Sequence, residues 1–255
     1  MRRTITVIWL VAALLLCLAT ALHAADDEVD VEQLVREIDA YYRADNSYSD
    51  IEMEIVTPHW QRTLSMKSWT EGMDKTFIRI DAPKKDKGVA TLRLDNEMWN
   101  YLPKTDKVMK VPPSMMMGSW MGSDFTNDDL VNEFSLFEDY SYDLFRPEGA
   151  ENDLLYLRCV PRPDLPVVWG SIVVGVRRAD HLMLFQKYYD EKGKLMRVLS
   201  YSEVRQFGDR RLPAVLELVP QNKSGHKTVI RYLSATFNSN LPDDVFSLRH
   251  LRTHK

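Results

Sequence analysis

Two periodicities of apolar residues divide the chain into structural types. Near the start, apolar residues recur every three or four positions with charged residues between them, which predicts an amphipathic helix. These residues are Val31, Leu34, Val35, Ile38 and Tyr42. The segment "IEMEI" at residues 51–55 instead alternates strictly between apolar and acidic residues. This two-residue period is typical of a strand with one buried face, and similar segments fill most of the remaining chain.

The alternating segments predict about eleven strands in one antiparallel sheet with a dry face and a wet face. One hairpin bends at Gly193, and another turns through "QNKSG" at residues 221–225. The sequence contains no second sheet and no array of helices to cover the dry face, so the sheet must curl on itself as a barrel or half-barrel. Large curled sheets enclose more space than their side chains fill, and we therefore expect a cavity.

Residues 112–139, here called the insert, break the rhythm of the strands. The insert begins "PPSMMMGSWMGSDF" and continues to a capping box, Thr126 with Asp129, which predicts a helix carrying Leu130, Val131 and Phe134. Methionine side chains are flexible and polarizable, and they repack around different apolar ligands at little cost. We predict a lid whose ligand-binding residues are Met115, Met116, Met117, Trp120, Met121 and Phe125. The alternative is that these side chains fill the mouth of the barrel as core.

Aromatic residues on the predicted strands suggest a lining for the cavity. Trp69, Trp99 and Tyr101 are predicted to contact an apolar ligand there, with burial of acyl chains contributing about 25 cal/mol per Å2. Each of them taken alone is more typical of ordinary core than of a ligand contact.

The first 24 residues are typical of a secretory signal peptide. Arg2 and Arg3 precede an apolar run from Ile5 to Leu22, and small residues follow it. An uncleaved membrane anchor is the alternative, because the run is just long enough to span a bilayer. Cleavage would remove two arginines and no acid, so the formal charge would move from −4 to −6. One cysteine, Cys159, would remain, and its apolar neighbours predict a buried strand position.

The sequence offers no motif for catalysis or for a cofactor. The histidines are dispersed, and neither a phosphate-binding glycine loop nor a nucleophile elbow is present. Asp124, Asp128 and Asp129 form the densest acidic cluster, which fits helix capping better than a metal site. Mild acidity and the lack of a basic stripe argue against nucleic acid. We expect a protein that is not an enzyme and binds neither metal nor cofactor.

Two segments resemble a known family. "FIRIDAPKKDKGVATLRLDNEMWNYLP" and "KVMKVPPSMMMGSWMGSDFTNDDL" are similar to the LolA-like family of outer-membrane lipoprotein-sorting proteins, in the branch that carries "MGSDF". The positions that match the motif of this branch are Gly88, Trp99, Tyr101, Pro103, Gly122, Ser123, Asp124 and Phe125. The resemblance implies a periplasmic, unclosed half-barrel at residues 25–255, with a helical lid over an apolar cavity. Members of the family carry lipoproteins from an inner-membrane ABC exporter to an outer-membrane receptor.

The chain departs from the best-known carriers at one position. Those carriers have a basic residue and a proline where this chain has Met73-Asp74-Lys75-Thr76, and an arginine there helps to lock the lid. Lys75 lacks the planar fork of arginine. The resemblance implies a monomeric periplasmic carrier of acylated lipoprotein or another lipid, served by an inner-membrane transporter and an outer-membrane acceptor. The alternative is an accessory subunit of an RND-type or ABC transporter without lipid cargo.

Overall fold

The computed structural model describes residues 29–42, 44–131, 135–163, 165 and 167–252. The predicted signal peptide, residues 1–24, lies outside the described residues, as does Phe134. Among the described residues, the helix α1 (Val31–Tyr42) precedes the sheet, and its apolar stripe is the one that the periodicity predicted. Three short helices follow: α2 (Asn127–Val131), α3 (Leu136–Asp139) and α4 (Leu248–Leu251), with a 3-10 helix at Pro113–Met115.

Thirteen strands form one antiparallel sheet. The first six are β1 (Asn46–Val56), β2 (Gln61–Glu71), β3 (Lys75–Ala82), β4 (Ala90–Leu94), β5 (Glu97–Leu102) and β6 (Lys107–Lys110). The others are β7 (Tyr140–Phe145), β8 (Leu154–Pro161), β9 (Ser171–Arg177), β10 (Met183–Tyr189), β11 (Leu195–Phe207), β12 (Arg210–Pro220) and β13 (Lys227–Phe237). The sheet has thirteen described strands rather than about eleven; the segment "ATLRLDNEMWNYLP", for example, folds as two strands, β4 and β5, joined by a tight turn in which Asp95 has a φ of 52°.

The order of the strands leaves the sheet open. It runs β6-β5-β4-β3-β2-β1-β13-β12-β11-β10-β9-β8-β7, so β1 and β13 pair at the centre and β6 and β7 are the two edges. The predicted fold class is therefore confirmed: a mainly β protein with a single antiparallel sheet that does not close, preceded by a helix. The insert joins the two edge strands and must cross the whole width of the sheet.

One face of the sheet carries α1 and the insert. Ile51, Met53 and Ile55 of β1 are buried on this face, as the alternation predicted, and they pack with Trp120 of the insert. At the other half of the sheet, apolar residues of α1 pack on β8 and β9 in a second cluster that also contains Cys159. Burial raises the pKa of the Cys159 thiol to about 12, which fits its predicted place in the core.

The face of the sheet opposite α1 and the insert is exposed to solvent over only part of the sheet. This corrects the prediction of one buried and one solvent-exposed face. Both faces of β3 and β4 are largely buried, because the segment after β13 folds back over them. Val245 and Leu251 of that segment pack on Phe77 and Leu92. The Arg79 guanidinium donates to the carbonyl oxygen of His250 at 2.7 Å. The C-terminal segment is thus a third cover of the sheet, besides α1 and the insert.

Candidate functional site

A cavity of about 790 Å3 lies between α1 and the inner face of the sheet, and it is open on one side. Strands β1, β2 and β10–β13 supply most of its lining. Its apolar lining includes Ile38, Tyr42, Met183, Tyr201, Leu216 and Phe237. The volume lies within the range of about 300–1,000 Å3 that is typical of pockets for small ligands.

The cavity exists because the sheet is curled. Thr70 of β2 and Gln186 of β10 both line it, although the two strands are five positions apart in the sheet. A flat sheet would hold strands five positions apart at about 24 Å, given a spacing of ~4.8 Å between neighbours. Curling brings them to opposite walls of one space, as the sequence analysis expected of a sheet without a partner layer.

The polar groups that face the cavity are mostly neutral. Burial raises the pKa of the Tyr201 hydroxyl well above its ordinary value, and it does the same for Tyr42. The Ser47 and Thr70 hydroxyls share a hydrogen bond of 2.7 Å. The charged residues of the lining are Asp39, Asp45 and Arg210, and the rest of it consists of neutral polar and apolar side chains. The apolar part suits an apolar ligand, because a buried ion would need a partner of opposite charge.

Helix α1 covers the cavity and is held by polar contacts to the start of β10, to the turn before it and to α3. The Tyr42 hydroxyl accepts the backbone N–H of Met183 at 3.2 Å, and a Glu37 oxygen lies 2.7 Å from Nδ1 of His181. Asp39 accepts from the backbone N–H groups of Leu136 and Phe137 at 3.2 and 3.1 Å. Asp39 thereby caps α3 and couples α1 to the end of the insert.

The "MGSDF" motif forms a tight hairpin within the insert. Met121 and Gly122 have φ angles of 52° and 79°, and the Ser123 N–H donates to the Trp120 carbonyl at 2.9 Å. Two consecutive residues with positive φ are characteristic of a type I′ turn, which explains the glycine. The buried indole of Trp120 donates to the Thr91 hydroxyl at 3.1 Å. This part of the insert is a fixed structural turn.

Ser123 and Asp124 fasten the hairpin to itself and to the sheet. The buried Ser123 hydroxyl donates to the Trp120 carbonyl at 2.7 Å. The Thr228 hydroxyl of β13 accepts from the Asp124 N–H at 2.9 Å and donates to the Asp124 carboxylate at 3.0 Å. These two motif positions therefore have structural roles, and so does Gly88, whose φ of 85° lies in the region that favours glycine.

A buried ion pair ties the insert to the other half of the sheet. Arg197 of β11 donates to both carboxylate oxygens of Asp129, at 2.7 and 2.8 Å. The Arg197 guanidinium lies 4.4 and 4.3 Å from the ring centroids of Trp169 and Tyr188. Asp129 also accepts the Thr126 N–H at 2.8 Å, so the predicted capping box is present.

Sequence reasoning missed both Arg197 and Asp39. Arg197 alternates with Leu199 and Tyr201 along β11, so it occupies an inward register position. A charged residue at such a position is a usable signal of a buried partner. Lys75, considered for the role of lid lock, pairs instead with Glu71.

The predicted lid residues have different surroundings. Met116, Trp120 and Met121 pack in the core cluster formed with β1, β2, β3 and β5, whereas 59% of Met115 and 50% of Met117 are exposed. Phe125 is half-buried. None of these six residues lines the cavity beneath α1.

The three predicted cavity aromatics lie elsewhere. Trp69, Trp99 and Tyr101 pack in the cluster under the C-terminal segment, on the face of the sheet opposite Trp120. The structure instead lines the cavity with Tyr42 and Tyr201.

Two kinds of feature are absent from the described part of the chain. Within it, no group of three or more His, Cys, Asp or Glu residues could hold a metal ion. No helix among the described residues is long and apolar enough to span a bilayer.

Comparison with known proteins places the chain in a family. A family model whose description reads "Uncharacterized protein" matches residues 72–253. The chain belongs to this family. No curated protein matches the chain significantly.

Solved structures support the resemblance to the LolA-like family at the level of fold. A putative outer membrane lipoprotein-sorting protein domain from Vibrio parahaemolyticus is 22% identical with a TM-score of 0.74, covering 87% of this chain and 98% of that one. A DUF1329 family protein from Desulfovibrio piger is 24% identical with a TM-score of 0.77, covering 86% and 97%. A LolA superfamily protein from Nitrosomonas europaea is 18% identical with a TM-score of 0.71, covering 87% and 99%. The chain thus has the LolA-like fold.

Proposed function

We propose that the protein is a periplasmic carrier that holds acyl chains of a lipoprotein or another lipid in the cavity beneath α1. The observation that carries this proposal is the half-open cavity of about 790 Å3, whose lining includes the apolar side chains Ile38, Met183, Leu216 and Phe237. Transfer of acyl chains from water to such a lining is favourable by about 25 cal/mol per Å2 of buried apolar surface. Binding of this kind requires no catalytic residue, metal or cofactor.

Cargo would enter by movement of α1 and the insert. Two polar connections hold this cover closed: Asp39 joins α1 to α3, and Asp129 joins the insert to Arg197. When the insert lifts, Met116, Trp120 and Met121 offer an additional apolar and adaptable surface to the cargo. Loading and release then depend on how strongly cargo favours the open or the closed state.

The predicted signal peptide and the fold support the cellular setting of the proposal. The predicted signal peptide directs a domain beginning at residue 25 to the periplasm. Two solved structures with this fold are described as lipoprotein-sorting and LolA superfamily proteins, which supports acylated cargo. In this setting an inner-membrane transporter supplies the cargo, and an outer-membrane acceptor receives it from a monomeric carrier.

The test is recovery of cargo from the native source compartment. The mature protein is purified from a periplasm under mild conditions and measured by native mass spectrometry, followed by extraction of lipids. A bound lipid or acylated peptide, displaced by an added fluorescent fatty acid, is the expected result. A protein that is empty and also fails to bind the fatty acid would contradict the proposal.

The exposed methionines favour one second candidate, an accessory subunit of an RND-type or ABC transporter. Met115 and Met117 lie outside the cavity and present flexible apolar side chains to solvent. Such side chains are common at adaptable protein-binding surfaces. This candidate predicts that a transporter co-purifies with the unchanged protein but not with the double variant Met115→Ser/Met117→Ser. It also predicts that neither the unchanged protein nor the double variant binds fatty acid.

A further inference from the structure

An exposed tryptophan lies within a group of lysines at one end of the sheet. Trp60, in the turn between β1 and β2, has 45% of its surface exposed. Four turns at this end, which join β1 to β2, β3 to β4, β5 to β6 and β12 to β13, are residues 57–60, 83–89, 103–106 and 221–226. Their exposed lysines are Lys84, Lys85, Lys87, Lys104 and Lys223. We refer to these four turns as the lysine-rich end.

Direct contacts make the lysine-rich end one continuous surface. The Arg62 guanidinium lies 5.8 Å from the Trp60 ring centroid, and its nitrogen lies 3.6 Å from an oxygen of Asp86 in the second turn. Gly88 packs on Pro103, which joins the second turn to the third. Gly225 packs on Pro58 and joins the fourth turn to the first.

The charge of this end is strongly one-sided. Its four turns contain two acidic residues, and both are engaged: Asp86 is buried beside Arg62, and Asp106 accepts from the Tyr101 hydroxyl at 3.0 Å. Lys84, Lys85 and Lys87 form no ion pair with any residue in the described part of the chain. At the other end of the same strands, the turns 72–74, 95–96 and 208–209 carry three aspartates and no lysine or arginine.

We propose that the lysine-rich end docks on an anionic lipid bilayer. The indole of Trp60 is suited to the interface between head groups and acyl chains, where tryptophan is enriched in membrane proteins. Lysines on flexible stems reach lipid phosphates from the tips of separate turns without the fixed planar geometry that arginine imposes. The charge difference between the two ends orients the molecule with this end toward a negative surface.

A membrane explains the arrangement better than an acidic protein does. The charged side chains stand on four projecting turns around one exposed indole, and lipid head groups can adjust to them individually. Gly122 of the insert lies next to the Trp60 ring, with a Cβ built there falling 4.0 Å from it. Docking would therefore place the hairpin of the insert beside the bilayer. The inference goes beyond carriage of cargo and holds whether or not the cavity takes acyl chains.

The experiment measures sedimentation of the mature protein with phosphatidylglycerol vesicles and, separately, with phosphatidylcholine vesicles at low salt. We expect binding to the anionic vesicles, loss of that binding at high salt because of screening, and little binding to the neutral vesicles. Lys84→Gln/Lys85→Gln/Lys87→Gln should weaken binding on the order of 100-fold, and Trp60→Ala about tenfold. Circular dichroism establishes that each variant is folded.

A matched control separates the surface from the overall charge. Lys67→Gln/Lys110→Gln/Lys187→Gln removes the same number of positive charges from strands outside the lysine-rich end, and it should bind as the unchanged protein does. The inference would be overturned if both triple variants bound anionic vesicles equally weakly. It would also be overturned if Trp60→Ala bound them normally, or if the unchanged protein did not bind them. Fatty-acid uptake, measured without vesicles, reports on the carrier function independently.

Discussion

The carboxylate of Asp129 and the guanidinium of Arg197 meet through two parallel hydrogen bonds of 2.7 and 2.8 Å. Asp129 belongs to the insert that starts from the β6 edge, whereas Arg197 lies on β11 beyond the centre of the sheet. Only 10% of the Arg197 side chain and 18% of the Asp129 side chain are exposed. This pair is consequently a largely buried, two-point connection between the insert and the far half of the sheet.

Removing either partner should destabilise the protein. Asp129→Asn or Arg197→Met leaves an uncompensated buried charge or an unpaired polar group, at a cost of about 3–5 kcal/mol for a buried pair. The free energy of unfolding in urea is the measurement. The double variant should lose less than the sum of the two single losses, since it leaves no charge unpaired.

The exposed pair Glu32–Arg36 on α1 is the control for that comparison. Its side chains are 61% and 57% exposed, so Glu32→Gln should change the free energy of unfolding by about 0.5 kcal/mol or less. Equal effects from the exposed and the buried pair would contradict the role assigned to Asp129 and Arg197.

The same pair predicts a dependence of stability on pH. Burial opposes ionisation of Asp129. The hydrogen bonds and positive charge of Arg197, together with the hydrogen bonds from Thr126, outweigh burial and hold the pKa of Asp129 below its usual value. The stabilisation is therefore complete above the unfolded-state pKa of about 3.9 and is lost as the pH falls through the lower folded-state pKa. Below about pH 4, the free energy of unfolding should fall more steeply in the unchanged protein than in Asp129→Asn. Parallel curves from urea titrations at several pH values would be inconsistent with this assignment.

The sequence was sufficient to predict most helices and strands, but it did not indicate which face of each strand points toward the cavity. Strict alternation in β1 correctly placed Ile51, Met53 and Ile55 on one buried face. Trp69 and Trp99 also lie on strands in which the two faces alternate. Because both faces of the sheet are buried there, the alternation does not indicate which face carries the cavity. The C-terminal segment buries the second face, and its short apolar stretches have no period that would predict this contact.

The local pattern of apolar and polar residues does not predict the path of the insert either. Its capping box and glycine turn are local features, and the sequence shows them plainly. Its role depends on strand order, because β6 and β7 are neighbours in sequence and opposite edges in the sheet. The pairing of Asp129 with Arg197 joins residues 68 positions apart, a separation that no local rule can bridge.

The hairpin of the insert should depend on its glycine. Gly122 has a φ of 79°, and a residue with a Cβ in this region costs roughly 1–2 kcal/mol. Gly122→Ala should lower the free energy of unfolding by that amount. Gly122→Asn should cost less, because asparagine tolerates the left-handed region better. Urea denaturation distinguishes the two, and an alanine variant as stable as the unchanged protein would argue against a fixed turn.

Filling the cavity should abolish ligand uptake. Ala235 lines the cavity, and Ala235→Trp would occupy space that the proposed acyl chains need. We expect the affinity for a fluorescent fatty acid to fall at least about tenfold, a loss of roughly 1.4 kcal/mol in binding free energy.

The neighbouring residue provides the control for the filled cavity. Thr236 is exposed and pairs with Tyr48, whose side chain lies against Trp69 on the outer face of the sheet. Thr236→Trp should therefore bind the fatty acid as the unchanged protein does. Full binding by Ala235→Trp, with normal thermal stability, would place the ligand elsewhere.

Disconnecting α1 from the insert should make the cavity easier to enter. Asp39 accepts from Leu136 and Phe137 at the start of α3, so Asp39→Ala should cost about 0.5–2 kcal/mol of stability, as loss of a helix cap does. It should also raise the rate at which a fluorescent fatty acid associates, measured by stopped flow, because α1 is then freer to move away from the sheet.

Asp30→Ala distinguishes this connection from a general loss of stability. Asp30 caps the start of α1 by accepting the Gln33 N–H at 3.0 Å, and no contact of the insert depends on that hydrogen bond. Its removal should cost a similar amount of stability, about 0.5–2 kcal/mol, while the association rate stays close to that of the unchanged protein. If both variants accelerate association equally, general loosening of α1 explains the effect, and Asp39 has no specific role in closing the cavity.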